Sequence, residues 1–224
     1  IYDEKTLKQV TDIAGEHDLV MISDEIYGMI TFDGIEATPT ASVAGDVPVL
    51  ALGGVSKFFM RTGWRLGYIC FHDPEGRMSE LQSVMTKVAG LYGHMTESIP
   101  LPIIVACAKT FQGTINSGQQ FTKVMETRRD LTMKRISEIN GITCVPPKGA
   151  LYSFPRVESI GTGTKWETDR EFILQLMREE GVDAIPGSNY GPAGAGHFRT
   201  LLLPSEQTLN EAFDRLDRFM NKHQ

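Results

Sequence analysis

The residues best suited to chemistry lie in the segment 53–67, which reads GGVSKFFMRTGWRLG. Lys57 follows a short apolar run there, and Arg65 lies eight positions further on, between a Gly-Trp pair and a Leu-Gly pair. A lysine amine forms imines with carbonyl compounds. The planar guanidinium group of an arginine matches a phosphate through two parallel hydrogen bonds. The spacing therefore indicates a ligand that carries both an aldehyde and a phosphate.

A carboxylate and a phenol follow an earlier apolar run, in the segment SDEIY at residues 23–27. Pyridoxal phosphate is an aldehyde with a phosphate, and its ring nitrogen commonly has an acidic partner in proteins. Asp24 is the candidate for that partner, because catalytic groups often lie at the carboxyl ends of strands in α/β sheets. Tyr27 is a candidate donor to a cofactor oxygen, and Ser56 could donate to the phosphate.

Each of these residues also has an ordinary structural interpretation. Most lysines are exposed and have no chemical role, a strand-end aspartate commonly forms a turn, and Tyr27 could be a core aromatic residue. Arg65 could be a surface cation, and for Ser56 a turn cap is as good an interpretation as phosphate binding. The glycine pair that precedes Lys57 favours chemistry there, because glycine lets a backbone approach a ligand closely.

A further arginine interrupts an apolar run near the end of the chain. Arg199 lies within HFRTLLL at residues 197–203, a segment typical of a strand. A charge in such a segment needs a counter-charge, because the burial of an unpaired ion is costly. The sequence leaves two candidates open for that counter-charge: the carboxylate of a substrate and the carboxylate of a structural salt bridge.

Apolar runs and helical periodicity predict the elements that must hold these residues. The runs 19–22, 48–52 and 66–71 predict strands of an α/β sheet, and the first is expected to be buried on both faces. The periodicity of residues 4–17 predicts a helix with one apolar face, made of Leu7, Val10, Ile13 and Ala14.

The later part of the chain changes character. A long helix predicted over 117–139 has mixed charge, Arg129 included, which predicts a solvated face. Short strand-like runs then alternate with helices, one of which begins at a capping box at Thr168 and ends at Gly181. We therefore expect two domains: the remainder of a large α/β domain over residues 1–125 and a smaller α+β domain over 126–224.

The composition narrows the classes of partner. A net charge of −6 with no basic stripe argues against nucleic acid as the main partner. No apolar run approaches the ~20 residues that cross a bilayer, so no membrane is expected. The five histidines are scattered without metal-ligand spacing, and we expect no metal site. The three cysteines lie far apart, which predicts free thiols in a reducing compartment and a cytoplasmic protein.

Together, these segments resemble the fold-type I aminotransferases that use pyridoxal phosphate, most closely the class I branch that contains tyrosine and alanine aminotransferases. The similar segments keep the family's order and rough spacing and read SDEIYGMITFDG at 23–34, GGVSKFFMRTGWRLGY at 53–68, PKGALYSFPRV at 147–157 and HFRTLLLPSEQTLNEAFDRL at 197–216. The resemblance implies an α/β fold: the C-terminal part of the family's large-domain three-layer sheet, followed by a smaller α+β domain.

The resemblance also implies a role for each candidate residue. Lys57 is similar to the lysine that forms the Schiff base with pyridoxal phosphate, and Asp24 to the partner of the pyridine nitrogen. Tyr27 is similar to the donor to the ring's 3-oxygen, and Arg65 to the arginine that binds the phosphate. Arg199 is similar to the arginine that binds the α-carboxylate of the substrate.

Two departures from the family pattern affect these expectations. Gly54 stands where some relatives have a phosphate-binding serine, a feature shared with the tyrosine aminotransferase branch. The chain begins at Ile1, where the family's upstream half, with its phosphate-binding loop and ring-stacking aromatic residue, would just have ended. We therefore expect residues 1–224 to be the C-terminal part of an enzyme and to be inactive alone.

The function implied by the resemblance is amino-group transfer. The amino donor would be an aromatic amino acid such as tyrosine, or alanine, and the acceptor a 2-oxo acid such as 2-oxoglutarate, in an enzyme that forms a homodimer. Three alternatives stay open: another fold-type I enzyme of the β-lyase or cyclopropane-carboxylate synthase type, a non-catalytic regulator with an aminotransferase-like domain, and an inert fragment.

Overall fold

The computed structural model describes residues 1–95, 99–113, 115–163 and 165–223. The chain divides into two compact units, Ile1–Thr122 and Lys123–Gln224, which are described here separately. Among the described residues, no helix is both long enough and apolar enough to cross a membrane.

The first unit is built on a three-stranded sheet. Its strands are β1 (Met21–Asp24), β2 (Val49–Gly54) and β3 (Gly67–His72), with β2 in the centre. Strand β1 is parallel to β2, and β3 is antiparallel to it. Because parallel strands end at the same edge of a sheet, the residues that follow β1 and β2 emerge side by side.

Strand β1 differs from its prediction in both its bounds and its burial. The strand begins at Met21, and the side chain of Ile22 is 69% exposed, so the expected burial on both faces is wrong. Met21 packs against a small buried cluster that includes Val49. An edge strand with one covered face alternates in burial, and Ile22 lies on the open face.

Three helices belong to the first unit: α1 (Glu4–Glu16), α2 (Ser79–Met95) and α3 (Leu101–Gln112). The predicted helix α1 is confirmed, and the Asp3 carboxylate caps it by accepting a hydrogen bond from the Thr6 amide. Of the predicted apolar face, Ala14 is buried, whereas Val10 and Ile13 are exposed.

The second unit combines short antiparallel strands with three helices. The helices are α4 (Asn116–Ser137), which begins within the first unit, α5 (Asp169–Glu180) and α6 (Glu206–Lys222). The strands are β4 (Ile142–Thr143), β5 (Tyr152–Ser153), β6 (Arg156–Val157), β7 (Ile185–Pro186) and β8 (Phe198–Leu201). Strand β8 lies between β5 and β7, and β4 pairs with β6. This arrangement surrounds Arg199 of β8 with backbone on both sides.

Local signals in the sequence set the bounds of α5. The Thr168 hydroxyl accepts a hydrogen bond from the Glu171 amide at the start of the helix. Gly181 ends the helix in a left-handed conformation, with φ of 66°, that glycine adopts without steric cost. The predicted start and end of this helix are both confirmed. The helix packs Phe172, Ile173 and related apolar residues into the core of the second unit.

Helix α4 buries an arginine that was predicted to be solvated. Arg129 is only 5% exposed. Its guanidinium group donates to the Asp130 carboxylate and to the Pro147 carbonyl oxygen. These acceptors compensate the buried charge, which explains why the mixed charge of this helix does not mark a wholly solvated face.

Candidate active site

Asp24 is the last residue of β1 and is exposed at the edge of the sheet. Its Oδ1 atom accepts a hydrogen bond of 3.2 Å from the Ile26 amide, which is the turn geometry expected of a strand-end aspartate. Within the described part of the chain, the other carboxylate oxygen has no partner. Asp24 therefore forms a turn and still has an oxygen available to a ligand.

Glu25, the residue next to Asp24, fixes the end of β1. Its Oε1 atom accepts hydrogen bonds from the Thr40 amide at 2.8 Å and from the Ser23 hydroxyl at 3.1 Å. The Glu25 amide also extends the strand ladder by donating to the Leu52 carbonyl oxygen. Glu25 therefore has a structural role that the sequence analysis did not assign. The sequence indicated this role only by the position of Glu25 beside Asp24.

Lys57 lies in a tight loop that follows β2. The loop is closed by hydrogen bonds from the Met60 amide to the Lys57 carbonyl oxygen and from the Arg61 amide to the Val55 carbonyl oxygen. Val55 and Phe58 are buried on either side of Lys57. These two anchors hold the half-buried lysine at the edge of the sheet where β2 ends.

The Lys57 amine faces an aromatic ring. Its Nζ atom lies 5.6 Å from the centroid of the Tyr27 ring. An ammonium group over the face of a phenol is attracted by the ring quadrupole. Among the described residues, no carboxylate or carbonyl oxygen accepts a hydrogen bond from Lys57. The structure thus brings together two of the predicted residues and leaves the amine open to a ligand.

The glycine pair before Lys57 makes room for a tyrosine. A Cβ atom on Gly53 would lie 2.4 Å from Cζ of Tyr68, its cross-strand neighbour on β3. A Cβ atom on Gly54 would lie 3.0 Å from the Leu66 carbonyl oxygen. Close packing within the sheet is therefore one reason for the glycine pair.

Tyr68 is a phenol that resists ionisation. Burial raises its pKa, and the nearby Cys70 and Glu25 groups add to the effect because negative charge next to a phenolate is unfavourable. The ring also packs edge-to-face against Phe111, with centroids 5.7 Å apart. The sequence analysis did not single out Tyr68, although it directly follows the GWRLG segment.

Arg65 and Ser56 lie near Lys57 in sequence, and neither side chain forms a hydrogen bond with Lys57 among the described residues. Arg65 is exposed, its backbone is left-handed with φ of 52°, and its Nη1 atom donates to the Thr62 carbonyl oxygen at 3.0 Å. A non-glycine residue in this conformation is uncommon and is enriched at functional sites. Ser56 is half-buried, and its hydroxyl has no hydrogen bond among the described residues.

In the second unit, the guanidinium group of Arg199 lies between two tyrosine rings. Its Cζ atom is 4.4 Å from the ring centroid of Tyr152 and 5.0 Å from that of Tyr190. Its Nε atom is buried and has no hydrogen-bond partner among the described residues. No structural salt bridge to Arg199 is present in the described part of the chain, so that alternative is not supported.

The aromatic partners of Arg199 were missed by the sequence analysis. Tyr152 reaches Arg199 because β5 pairs with β8, with Tyr152 opposite Leu201. Tyr190 lies in the turn that connects β7 to β8, and its ring also meets Phe154 at 5.8 Å. The segment ALYSFP, in which Tyr152 and Phe154 alternate with other residues, was the available signal.

A cavity of about 570 Å³ borders Arg199 within the second unit. Its lining includes Arg215, whose guanidinium group donates to the Glu211 carboxylate and the Glu180 carbonyl oxygen. Arg199 also lines the cavity, and no acceptor for it is found among the described residues. A buried donor without a partner is rare in native proteins, and an anionic ligand is one group that could pair with it. The rings of Tyr152 and Tyr190, which flank the Arg199 guanidinium group, are not part of the lining, so this cavity alone does not identify where an anion would bind.

Comparisons with known proteins point to one family. The family model described as aminotransferase class I and II matches residues 1–216. The chain is 30% identical over 223 residues to aromatic-amino-acid aminotransferase 2 of Thermococcus litoralis. It is 31% identical over 223 residues to an aspartate aminotransferase of Pyrococcus abyssi. Each match covers 99% of this chain and 54% of the relative.

Solved structures give the same result. The fold is similar to that of an alanine aminotransferase from Pyrococcus furiosus, with a TM-score of 0.89 and 38% identity, over 99% of this chain and 54% of that chain. The tyrosine aminotransferase from Leishmania infantum is similar in fold, with a TM-score of 0.86 and 24% identity, over 100% of this chain and 53% of that chain. The chain spans about half the length of the curated relatives it matches.

Proposed function

Since the chain belongs to the aminotransferase class I and II family, we propose that the protein transfers an amino group from an amino acid to a 2-oxo acid by means of pyridoxal phosphate. The proposed donors are aromatic amino acids such as tyrosine, or alanine, and the proposed acceptor is 2-oxoglutarate. The observation that supports this most strongly is the Lys57 amine, which faces the Tyr27 ring and has no acceptor in the described chain.

The residues at this edge of the first unit fit the cofactor. When bound, pyridoxal phosphate supplies an aldehyde for the exchange of amino groups and a ring that takes up negative charge from the substrate. Asp24 has a free oxygen to accept a hydrogen bond from the ring nitrogen, and Tyr27 has a hydroxyl to donate to a ring oxygen. Arg65 and Ser56 would bind the phosphate, since most guanidinium donors of Arg65 are uncommitted.

Lys57 would also move the proton on which the reaction depends. Its amine would take a proton from Cα of the amino acid at Nζ and would deliver it to the cofactor carbon that carries the aldehyde. A general base must reach the proton that it abstracts, and an amine tied to a carboxylate cannot do so. The lack of an acceptor for Lys57 in the described residues supports this role.

Arg199 would bind the carboxylate that the amino acid and the 2-oxo acid share. Its buried Nε atom lacks a partner, and a carboxylate would supply one. The flanking rings of Tyr152 and Tyr190 restrict the guanidinium plane. Because both substrates have this carboxylate, one arginine would serve both halves of the reaction.

The wider assignments follow from the resemblance. We propose that the first compact unit belongs to the large cofactor-binding domain and that the second is the small domain. We also propose a homodimer in the cytoplasm. The exposed apolar side chains of Val88 and Leu101 in the first unit are compatible with a subunit interface, and sedimentation of the purified protein checks this proposal.

A labelling experiment tests the proposed reaction. Tyrosine or alanine with an isotopic label on its nitrogen is incubated with 2-oxoglutarate, pyridoxal phosphate and the full-length enzyme to which we propose residues 1–224 belong, and labelled glutamate is measured. We expect labelled glutamate from the wild type and a rate lower by roughly a hundredfold to ten-thousandfold for Lys57→Ala. Lys87→Ala, at an exposed lysine of α2, is the control. Release of the label as ammonia would indicate a lyase and contradict the proposal.

A further inference from the structure

We propose that Asp169 is a positioning residue for carboxylate binding and that it acts on Arg199 through Ser188 and Tyr190. The inference rests on the proposed carboxylate-binding role of Arg199. Asp169 is the first residue of α5 and is only 2% exposed. A carboxylate buried to this extent needs strong compensation, and its contacts show where that compensation comes from.

Both oxygens of the Asp169 carboxylate bind the same residue. The Ser188 amide donates to Oδ2 at 2.8 Å, and the Ser188 hydroxyl donates to Oδ1 at 2.7 Å. Hydrogen bonds to an ionised acceptor are shorter and stronger than neutral ones, and a paired arrangement also fixes orientation. The two bonds therefore hold Ser188 in one place relative to the start of α5.

Asp169 is not needed to cap its own helix. The Thr168 hydroxyl already accepts a hydrogen bond from the Glu171 amide at the N-terminus of α5. The Asp169 carboxylate instead reaches a residue 19 positions away. A purely local role in the helix would not require this contact, so the carboxylate acts on the turn that contains Ser188.

That turn is a short 3-10 segment, Gly187–Tyr190, between β7 and β8. Its first residue is fixed by the backbone, because the Gly187 amide donates to the His197 carbonyl oxygen at 2.8 Å. Gly187 also packs against Gly194 so closely that an added Cβ atom would lie 2.3 Å from the Gly194 carbonyl oxygen. The backbone thus holds one end of the turn, and the Asp169–Ser188 pair holds its middle.

Tyr190 transmits this fixed geometry to Arg199. It lies two residues after Ser188, and its ring centroid is 5.0 Å from the Arg199 Cζ atom. Tyr190 is 48% exposed, and its ring also makes an edge contact with Phe154. Loss of the Asp169–Ser188 pair would release the turn and let the ring leave the guanidinium group. Arg199 would then sample orientations that do not match a carboxylate.

The test compares variants of the pair in the holoenzyme. Ser188→Ala removes the hydrogen bond from the hydroxyl, Asp169→Asn removes the charge, and Ser188→Thr keeps a hydroxyl at this position. Glu171→Gln is the matched control, because Glu171 is a carboxylate of the same first turn that accepts from the Glu167 amide and does not contact Ser188. The readouts are KM and kcat for both substrates and the affinity of 2-oxoglutarate for the aldehyde form, in which it cannot react.

We expect Ser188→Ala and Asp169→Asn to raise both KM values and to weaken 2-oxoglutarate binding by roughly threefold to thirtyfold. The value of kcat should stay within about twofold, because saturating substrate restores the bound state. Ser188→Thr should keep most of the wild-type affinity for 2-oxoglutarate, and Glu171→Gln should resemble the wild type. If Asp169→Asn fails to fold, Ser188→Ala alone tests the inference, because it keeps the hydrogen bond from the backbone amide of residue 188 to Asp169.

Arg199→Lys separates failure of this inference from failure of the proposed function. If Arg199→Lys leaves the affinity for 2-oxoglutarate unchanged, Arg199 does not bind the carboxylate, and its role in the proposed function is wrong. If Arg199→Lys weakens binding while Ser188→Ala and Asp169→Asn do not, the positioning role of Asp169 is overturned. If Ser188→Ala and Asp169→Asn lower kcat without a change in KM, the positioning role of Asp169 is overturned as well.

Discussion

Lys57 and Arg199 face aromatic rings instead of carboxylates in the described part of the chain. Acidic groups are not scarce, because the sequence has 28 aspartate and glutamate residues against 22 lysine and arginine residues. A ring attracts a cation without occupying its hydrogen-bond donors. The two side chains therefore keep those donors for ligands, which is what a cofactor aldehyde and a substrate carboxylate require.

The contact between Gly53 and Tyr68 gives a prediction about stability. Gly53→Ala should lower the free energy of unfolding by roughly 1–3 kcal/mol, because the new Cβ atom would overlap the Tyr68 ring. Gly63→Ala is the control, since an added Cβ atom there meets nothing within 4 Å. Urea denaturation measures both variants. In a Tyr68→Ala background the cost of Gly53→Ala should largely disappear, and a cost that persists would show that the ring is not the cause.

At the scale of single residues, the sequence identified candidate residues but not the side chains that surround them. Asp24, Tyr27 and Lys57 were recognisable because each lies close to the end of an apolar run, and that pattern is local. The partners of Arg199 were not recognisable, because Tyr152 reaches it only through the pairing of β5 with β8. Strand pairing between distant segments is set by the whole fold, and a single sequence without an alignment has no direct signal for it.

Among the elements, helix ends were easier to predict than strand faces. The start of α5 at Thr168 and its end at Gly181 depend on hydrogen bonds and a backbone conformation within one turn. The faces of α1 and β1 depend instead on what packs against them. Ile13 and Ile22 are apolar but exposed, so the rule that apolar residues are buried fails for both.

The junction of α5 and α6 predicts a dependence on pH. The hydrogen bond from Lys222, with smaller contributions from Gln175 and His223, lowers the pKa of Glu179 from its ordinary value of 4.5 to about 2. A carboxyl group with a depressed pKa in the folded state stabilises that state above its unfolded pKa. This stabilisation should be complete at neutral pH and should be lost as the pH falls from 4.5 to about 2.

Glu179→Gln measures this contribution. The difference in free energy of unfolding between the wild type and Glu179→Gln should be present at pH 7 and should shrink through the same acid range. Glu158→Gln, an exposed position in the second unit, should show a small difference that does not change with pH. Chemical denaturation at a series of pH values provides the data. If the difference in free energy of unfolding between the wild type and Glu179→Gln stays constant down to a pH of about 2, the depressed pKa of Glu179 is refuted.

For the molecule as a whole, the predicted fold class and the resemblance to class I aminotransferases are confirmed by the family match and the solved structures. The proposed cofactor residues belong to the first unit, and the proposed carboxylate-binding residues belong to the second. The relatives are named for aromatic amino acids, alanine and aspartate, so family membership alone leaves the amino donor open. Substrate choice depends on side chains around the reacting group that no sequence motif identifies.

The central claim is that the Lys57 amine holds the cofactor, and one measurement tests it most directly. The protein is incubated with pyridoxal phosphate, reduced with borohydride and digested, and the modified lysine is located by mass spectrometry. We expect a phosphopyridoxyl group on Lys57 in the wild type and none on any lysine of Lys57→Ala. A phosphopyridoxyl group on another lysine, with Lys57 unmodified, would contradict the account.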